Sequence, residues 1–121
     1  MSARGEQTIR VGQREIVILF TNRALLSAEK QLNKGILGIL DGFASGSSGI
    51  NDLIALLRSG MEAARQDARS GGKPVSNEDA LAVIDEIGFV AALTPVMEAV
   101  AMVISYAGDS AISENGADPN T

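Results

Sequence analysis

The sequence predicts a mainly α chain of the α+β class: an N-terminal β-hairpin packed on a compact bundle of about four to five helices. Three observations carry that expectation. Two β-rich runs near the start are separated by Gly12-Gln13, later segments repeat apolar residues at spacings of three and four, and Gly, Ser and Pro clusters punctuate them. A chain of 121 residues is long enough for one core and too short for two. Residues 1–108 are therefore expected to form one globular domain, with the hairpin at about 8–20 and the helices at about 22–107. Residues 109–121 read as a disordered acidic tail, rich in Gly, Asp, Ser and Asn.

Met1–Glu6 should fray. Thr8–Val11 and Arg14–Phe20 follow as strands, joined by a tight turn because Gly takes positive φ without steric cost. The run Ile16-Val17-Ile18-Leu19-Phe20 is continuous rather than alternating, which predicts cover on both faces. A lone hairpin is marginal in water, so helices must pack on it. Thr21 or Asn22 can cap a helix over about 23–33 with Leu25, Ala28 and Leu32 inward, and Gly35 is expected to end it. Ile36–Ala44 reads as a short helical turn supplying Ile36, Ile39, Leu40 and Phe43 to the core, and Ser45–Gly49 as a loop.

The stripe Ile50, Leu53, Ile54, Leu57, Met61, Ala64 and Ala68 marks the clearest helix. Gly60 inside it costs about 1 kcal/mol relative to Ala, which predicts close packing against a neighbour. Ser76 is an N-cap with Glu78 and Asp79 in the first turn, and Leu81, Ile84 and Ile87 give that helix its inward face as far as Gly88. Phe89–Leu93 reads as a short helical piece. Thr94-Pro95 then reads as the cap and first residue of a last helix ending near Tyr106.

Charge is divided along the chain. All ten basic residues precede Pro74, and the 48 residues from Pro74 onward hold eight carboxylates and no Lys or Arg. The two parts stand at +3 and −8, with a net charge of −5. That balance argues against nucleic-acid binding, which needs a basic footprint. His, Cys and Trp are absent, so thiolate and imidazole chemistry is unavailable to the chain. Met1–Gln7 has no apolar run of the signal-peptide kind. Phe89–Ala107 has membrane length, but Thr94-Pro95 interrupts it, Glu98 lies near its middle and no cation flanks it, so a buried helix is expected and no membrane partner.

Candidate sites for chemistry fail individually. Glu78, Asp79, Asp85 and Glu86 match no calcium-loop spacing, and the first two are explained as helix-start acids. Glu98 has no second acid, His or Lys beside it to work with. Gly71-Gly72-Lys73-Pro74 lacks both the upstream glycine and the Ser or Thr of a phosphate loop. The expectation is a protein that is not an enzyme, with no catalytic residues, metal or cofactor.

The order of elements and the residues at their junctions resemble the tail assembly chaperone family of tailed bacteriophages, closest to the small tail-module protein of gene transfer agents and related prophages. The segments that carry the resemblance are Gly12–Thr21, then Ala24-Leu25 with Glu29 and Leu32, then Asp52–Met61, then Val75–Ala80 leading into Val83–Gly88. It covers about 8–106 and rests on pattern and order, without an invariant signature. It implies a non-enzymatic role in the cytoplasm of the bacterial host: binding the tape measure protein, and with it the tail tube protein, during tail assembly. Self-association is compatible with that role. Two other classes stay open on the sequence: a structural tail or tail-tube component of the virion, and a small acidic interaction adaptor unrelated to phage.

The partner surface is expected on the last helix. With Leu93, Met97, Val100 and Ile104 inward, Ala99, Met102, Val103 and Tyr106 form an outward apolar strip, and Asp85 and Glu86 on the preceding helix would steer a basic partner segment; the alternative is a central helix buried all round.

Overall fold

The computed structural model describes the backbone of residues 4–116 and the side chains of residues 4–105. Strands β1 (Gly5–Val11) and β2 (Arg14–Phe20) pair antiparallel, from Val11 opposite Arg14 at the turn to Gly5 opposite Phe20. Gly12 supplies the turn's positive φ of 64°. Pairing starts at Gly5, so this part of the expected frayed end is strand. A tertiary contact holds it there: Gly5 is pressed against the backbone of Ala99, where any Cβ would collide with the carbonyl oxygen.

Five helices follow: α1 (Asn22–Leu32), α2 (Ile36–Ser45), α3 (Ile50–Asp67), α4 (Asn77–Ile87) and α5 (Phe89–Gly116). The α+β class, a hairpin on a helical bundle, is as the sequence predicts. The caps are largely those expected. The Thr21 hydroxyl accepts the Ala24 N–H at 3.2 Å, and Ser76 with Asp79 closes a reciprocal capping box. The end of α1 differs, because Asn33 rather than Gly35 takes the left-handed conformation, at φ 55°. Gly35 opens α2 instead. It has no side chain to offer, so the Glu29 carboxylate accepts the Ile36 N–H at 2.7 Å.

Gly88 turns the chain by 119° between α4 and Phe89–Ser105. α5 then runs through Pro95 without a new start, which corrects the reading of Thr94-Pro95 as a cap and first turn. Proline removes one backbone donor, and the Thr94 hydroxyl turns back to donate to the Val90 carbonyl at 3.0 Å rather than capping forward. The helix bounds also pass the expected end near Tyr106. The expected tail of 109–121 lies outside the residues whose side chains are described, and 117–121 lie outside the described residues altogether.

α3 is the central element. It packs on β2, α1, α4 and α5 and buries Leu53, Leu56 and Leu57 completely. Each such side chain contributes about 1.5–3 kcal/mol by leaving water. Gly60 does have the close neighbour its position predicts: a Cβ there would lie 2.7 Å from the Phe20 ring. The hairpin is covered on one face by Ile9, Val11, Ile18 and Phe20 packing into the core, while Glu6, Thr8, Arg10, Glu15 and Val17 face outward and are exposed. Cover on both faces of β2 therefore holds only near its end, where α3 also buries Leu19. On α4 the inward face is centred on Ala80, Val83 and Ile84, with Leu81 and Ile87 flanking it. Among the described residues, no single helix is long and apolar enough to cross a membrane.

Candidate interaction surface

The six expected partner residues do not form one strip. Ala99 and Val103 are fully buried. The buried stripe of α5 is Ala92, Val96, Ala99, Val100 and Val103, one residue's step from the expected Leu93, Met97, Val100 and Ile104, or about 100° of rotation. The cause is β1, which lies across α5 and needs small side chains beneath it; Ala99 meets Gly5 there. Met102 is outward as expected, 46% exposed, with the Gln7 amide against its sulfur at 3.9 Å. The Tyr106 side chain lies outside the described residues. Asp85 and Glu86 are both exposed, but Glu86 stands beside the hairpin turn, 3.8 Å from Arg14, away from Met102's neighbours.

The larger apolar exposure lies at α2. At about 100° per residue, its apolar side chains Ile39, Phe43, Ile36, Leu40, Ala44 and Leu37 follow one another around an arc of roughly 160°. The core takes only one end of that arc. Ile39 is buried, Phe43, Ile36 and Leu40 are half-buried, and Leu37 is 68% exposed. Phe43 reaches the start of α5, its ring centroid 6.3 Å from that of Phe89 at an interplanar angle of 55°. The next residue, Val90, is 71% exposed, and Ile50, which opens α3 just after the loop that follows α2, is 51% exposed. The loop itself is pinned: the Ser48 hydroxyl donates to the Ile39 carbonyl at 3.1 Å, and the Ser48 N–H to the Gly42 carbonyl at 2.9 Å. α2 is thus held at the edge of the bundle with an apolar flank turned outward. Ile36, Leu40 and Phe43 pack against the core as the sequence predicts, but only half-buried, because the apolar arc is wider than the face the bundle covers. That width was the available signal.

Several charged groups, by contrast, bridge elements of the fold. Glu62 accepts two hydrogen bonds from Arg65, at 2.8 and 2.7 Å, one from Gln66 at 2.8 Å and one from the Val75 N–H at 2.8 Å. The Arg65 guanidinium leads in holding this carboxyl down at about 2, against the opposing effect of burial, with the Val75 and Gln66 bonds adding to it. Arg65 also donates to the Ser70 carbonyl at 3.0 Å, so the pair latches both ends of the loop between α3 and α4. Asp52, buried at the start of α3, pairs with Lys34 at 2.8 Å. Arg58 links Ser27 and Gln31 of α1 to α3, and Gln31 donates on to Asn77 of α4 at 2.9 Å.

A surface cleft of about 400 Å³ between Leu19, Thr21, Arg23, Glu62, Gln66 and Asp67 is therefore walled in part by a carboxylate already saturated with donors. Among the described residues, no group of three or more carboxylates is placed to hold a metal ion. No protein-family model matches the chain, and no characterised protein or solved structure shows significant similarity to it.

Proposed function

We propose that this protein is a non-enzymatic tail assembly chaperone of a tailed phage, prophage or gene transfer agent, and that it holds an apolar helical segment of the tape measure protein on the outer flank of α2. The observation that carries this reading is the mismatch on α2 between its apolar arc and its buried face, together with the resemblance in element order described above. A helix whose apolar width exceeds what its own fold covers has a binding face to offer. The mode is helix on helix, with Leu37 and Leu40 as anchors and Val90 and Ile50 extending the contact.

The chemistry suits a transient holder. Covering Leu37 contributes about 1–2 kcal/mol, and a few such anchors give an affinity that subsequent assembly can displace. The tail tube protein is the second partner in this reading, brought to the tape measure protein as the chaperone leaves. The test is co-expression with a tape measure protein, followed by capture. Leu37→Glu should remove capture while thermal stability stays near the parent's, because the side chain is outward. Undiminished capture by Leu37→Glu and by Leu40→Ser would refute this site. Particles purified to maturity and found to contain the protein in stoichiometric amounts would make it a structural subunit instead.

A further inference from the structure

The two edges of the hairpin are not equivalent. β2 is flanked by α3, which buries the outward-pointing Leu19 and places Ala64, Asp67 and Ala68 beside it. β1 meets α5 on its inner face, and among the described residues nothing is hydrogen-bonded to its outer edge. In a hairpin closed by a two-residue turn, the pair flanking the turn exchanges hydrogen bonds, as does every second pair beyond it. Here those pairs contain Val11, Ile9, Gln7 and Gly5, so the backbone groups of Glu6, Thr8 and Arg10 point away from the hairpin. Among the described residues these groups have no other hydrogen-bond partner, and all three side chains are exposed.

We propose that β1 is the seam of a homodimer, in which a second copy of this chain pairs antiparallel along Glu6–Arg10 about a two-fold axis at Thr8. The charge pattern selects this occupant and this register. Centred on Thr8, the pairing sets Glu6 opposite Arg10 of the second copy, Arg10 opposite its Glu6, and Thr8 opposite Thr8, with about six backbone hydrogen bonds along the seam. Centring on Glu6, Gln7 or Arg10 sets like charges face to face, and centring on Ile9 sets Arg10 opposite Thr8 and leaves Glu6 without a cation. Parallel pairing with Thr8 beside Thr8 also aligns like with like. Edge charges ordinarily discourage strand addition, but Glu-x-Thr-x-Arg is complementary to itself in one antiparallel register. The present partners of these charges are loose and exposed, Arg10 with Glu15 at 3.5 Å and Glu6 with Arg4 at 4.0 Å, so they are free to exchange. Met102 lies under this edge against Gln7, and the second copy would cover it.

The experiment is sedimentation equilibrium of the full chain and of charge variants. The parent should show a monomer–dimer equilibrium, weakened by salt. Glu6→Arg and Arg10→Glu should each weaken dimerisation at least about tenfold, since every cross-strand pair becomes like-charged. Mixing the two variants should restore a dimer, because an edge carrying two cations then meets an edge carrying two carboxylates. Thr8→Pro removes a donor that β2 does not use, so it should abolish the dimer with the melting temperature retained. A parent that stays monomeric at high micromolar concentration overturns the proposal. So does a dimer indifferent to the charge variants, or one that the mixture fails to restore.

Discussion

α2 and α3 are both rich in aliphatic side chains, yet they hold opposite places. α3 buries Leu53, Leu56 and Leu57 while packing on β2, α1, α4 and α5, and several of its polar side chains tether neighbours. α2 buries Ile39 and leaves Leu37 in water. Aliphatic content does not distinguish them, although α3 also carries five charged residues and α2 only Asp41. What does is length and position: the eighteen residues of α3 cross the whole bundle, whereas the ten of α2 are hung between Gly35 and the pinned loop at its edge. Apolar surface on the central helix stabilises the fold, and the surplus on the peripheral one is the surface we propose a partner covers.

Truncating the two helices should separate these roles most sharply. Leu57→Ala leaves a cavity in the centre and should lose about 2–5 kcal/mol, read by chemical denaturation. Leu37→Ala, the same kind of change on α2, should stay within about 0.5 kcal/mol of the parent. Comparable losses at the two sites would erase the distinction.

The latch on α3 should show a smaller and pH-dependent effect. Glu62→Gln should cost about 1–2 kcal/mol, since it weakens the charge-assisted bonds and leaves Arg65 without its counter-charge. The folded carboxyl, at about 2, lies below its ordinary value of 4.5. Its contribution is therefore complete above about pH 4.5 and is lost as pH falls toward about 2. Denaturation curves of parent and Glu62→Gln should differ at pH 7 and converge at the acid end. A gap that persists unchanged at about pH 2.5 would mean the carboxylate's charge is not what holds the loop.

Much of the fold was legible because local chemistry and packing agree there. The Gly12 turn, the Thr21 and Ser76 caps and the tight spot at Gly60 each follow from one residue's conformational or hydrogen-bonding needs. The interaction surface was less legible because α5 is apolar almost all round, so periodicity could not say which side the hairpin would take. Ala92 and Ala99 lie inward not for their hydrophobicity but because β1 comes close, a contact between distant parts of the chain. Thr94-Pro95 misled for a similar reason. As a local signal it starts a helix, and packing on both sides of it kept one helix continuous.

The most direct measurement of the α2 assignment is hydrogen–deuterium exchange on the protein alone and bound to a tape measure protein. The account predicts slowed exchange over 36–50 and at the start of α5 near Val90, with the amides of α3's centre equally slow in both states. Protection confined to α4 or to the α3–α4 loop, with α2 exchanging as fast in the complex as in the free protein, would contradict it.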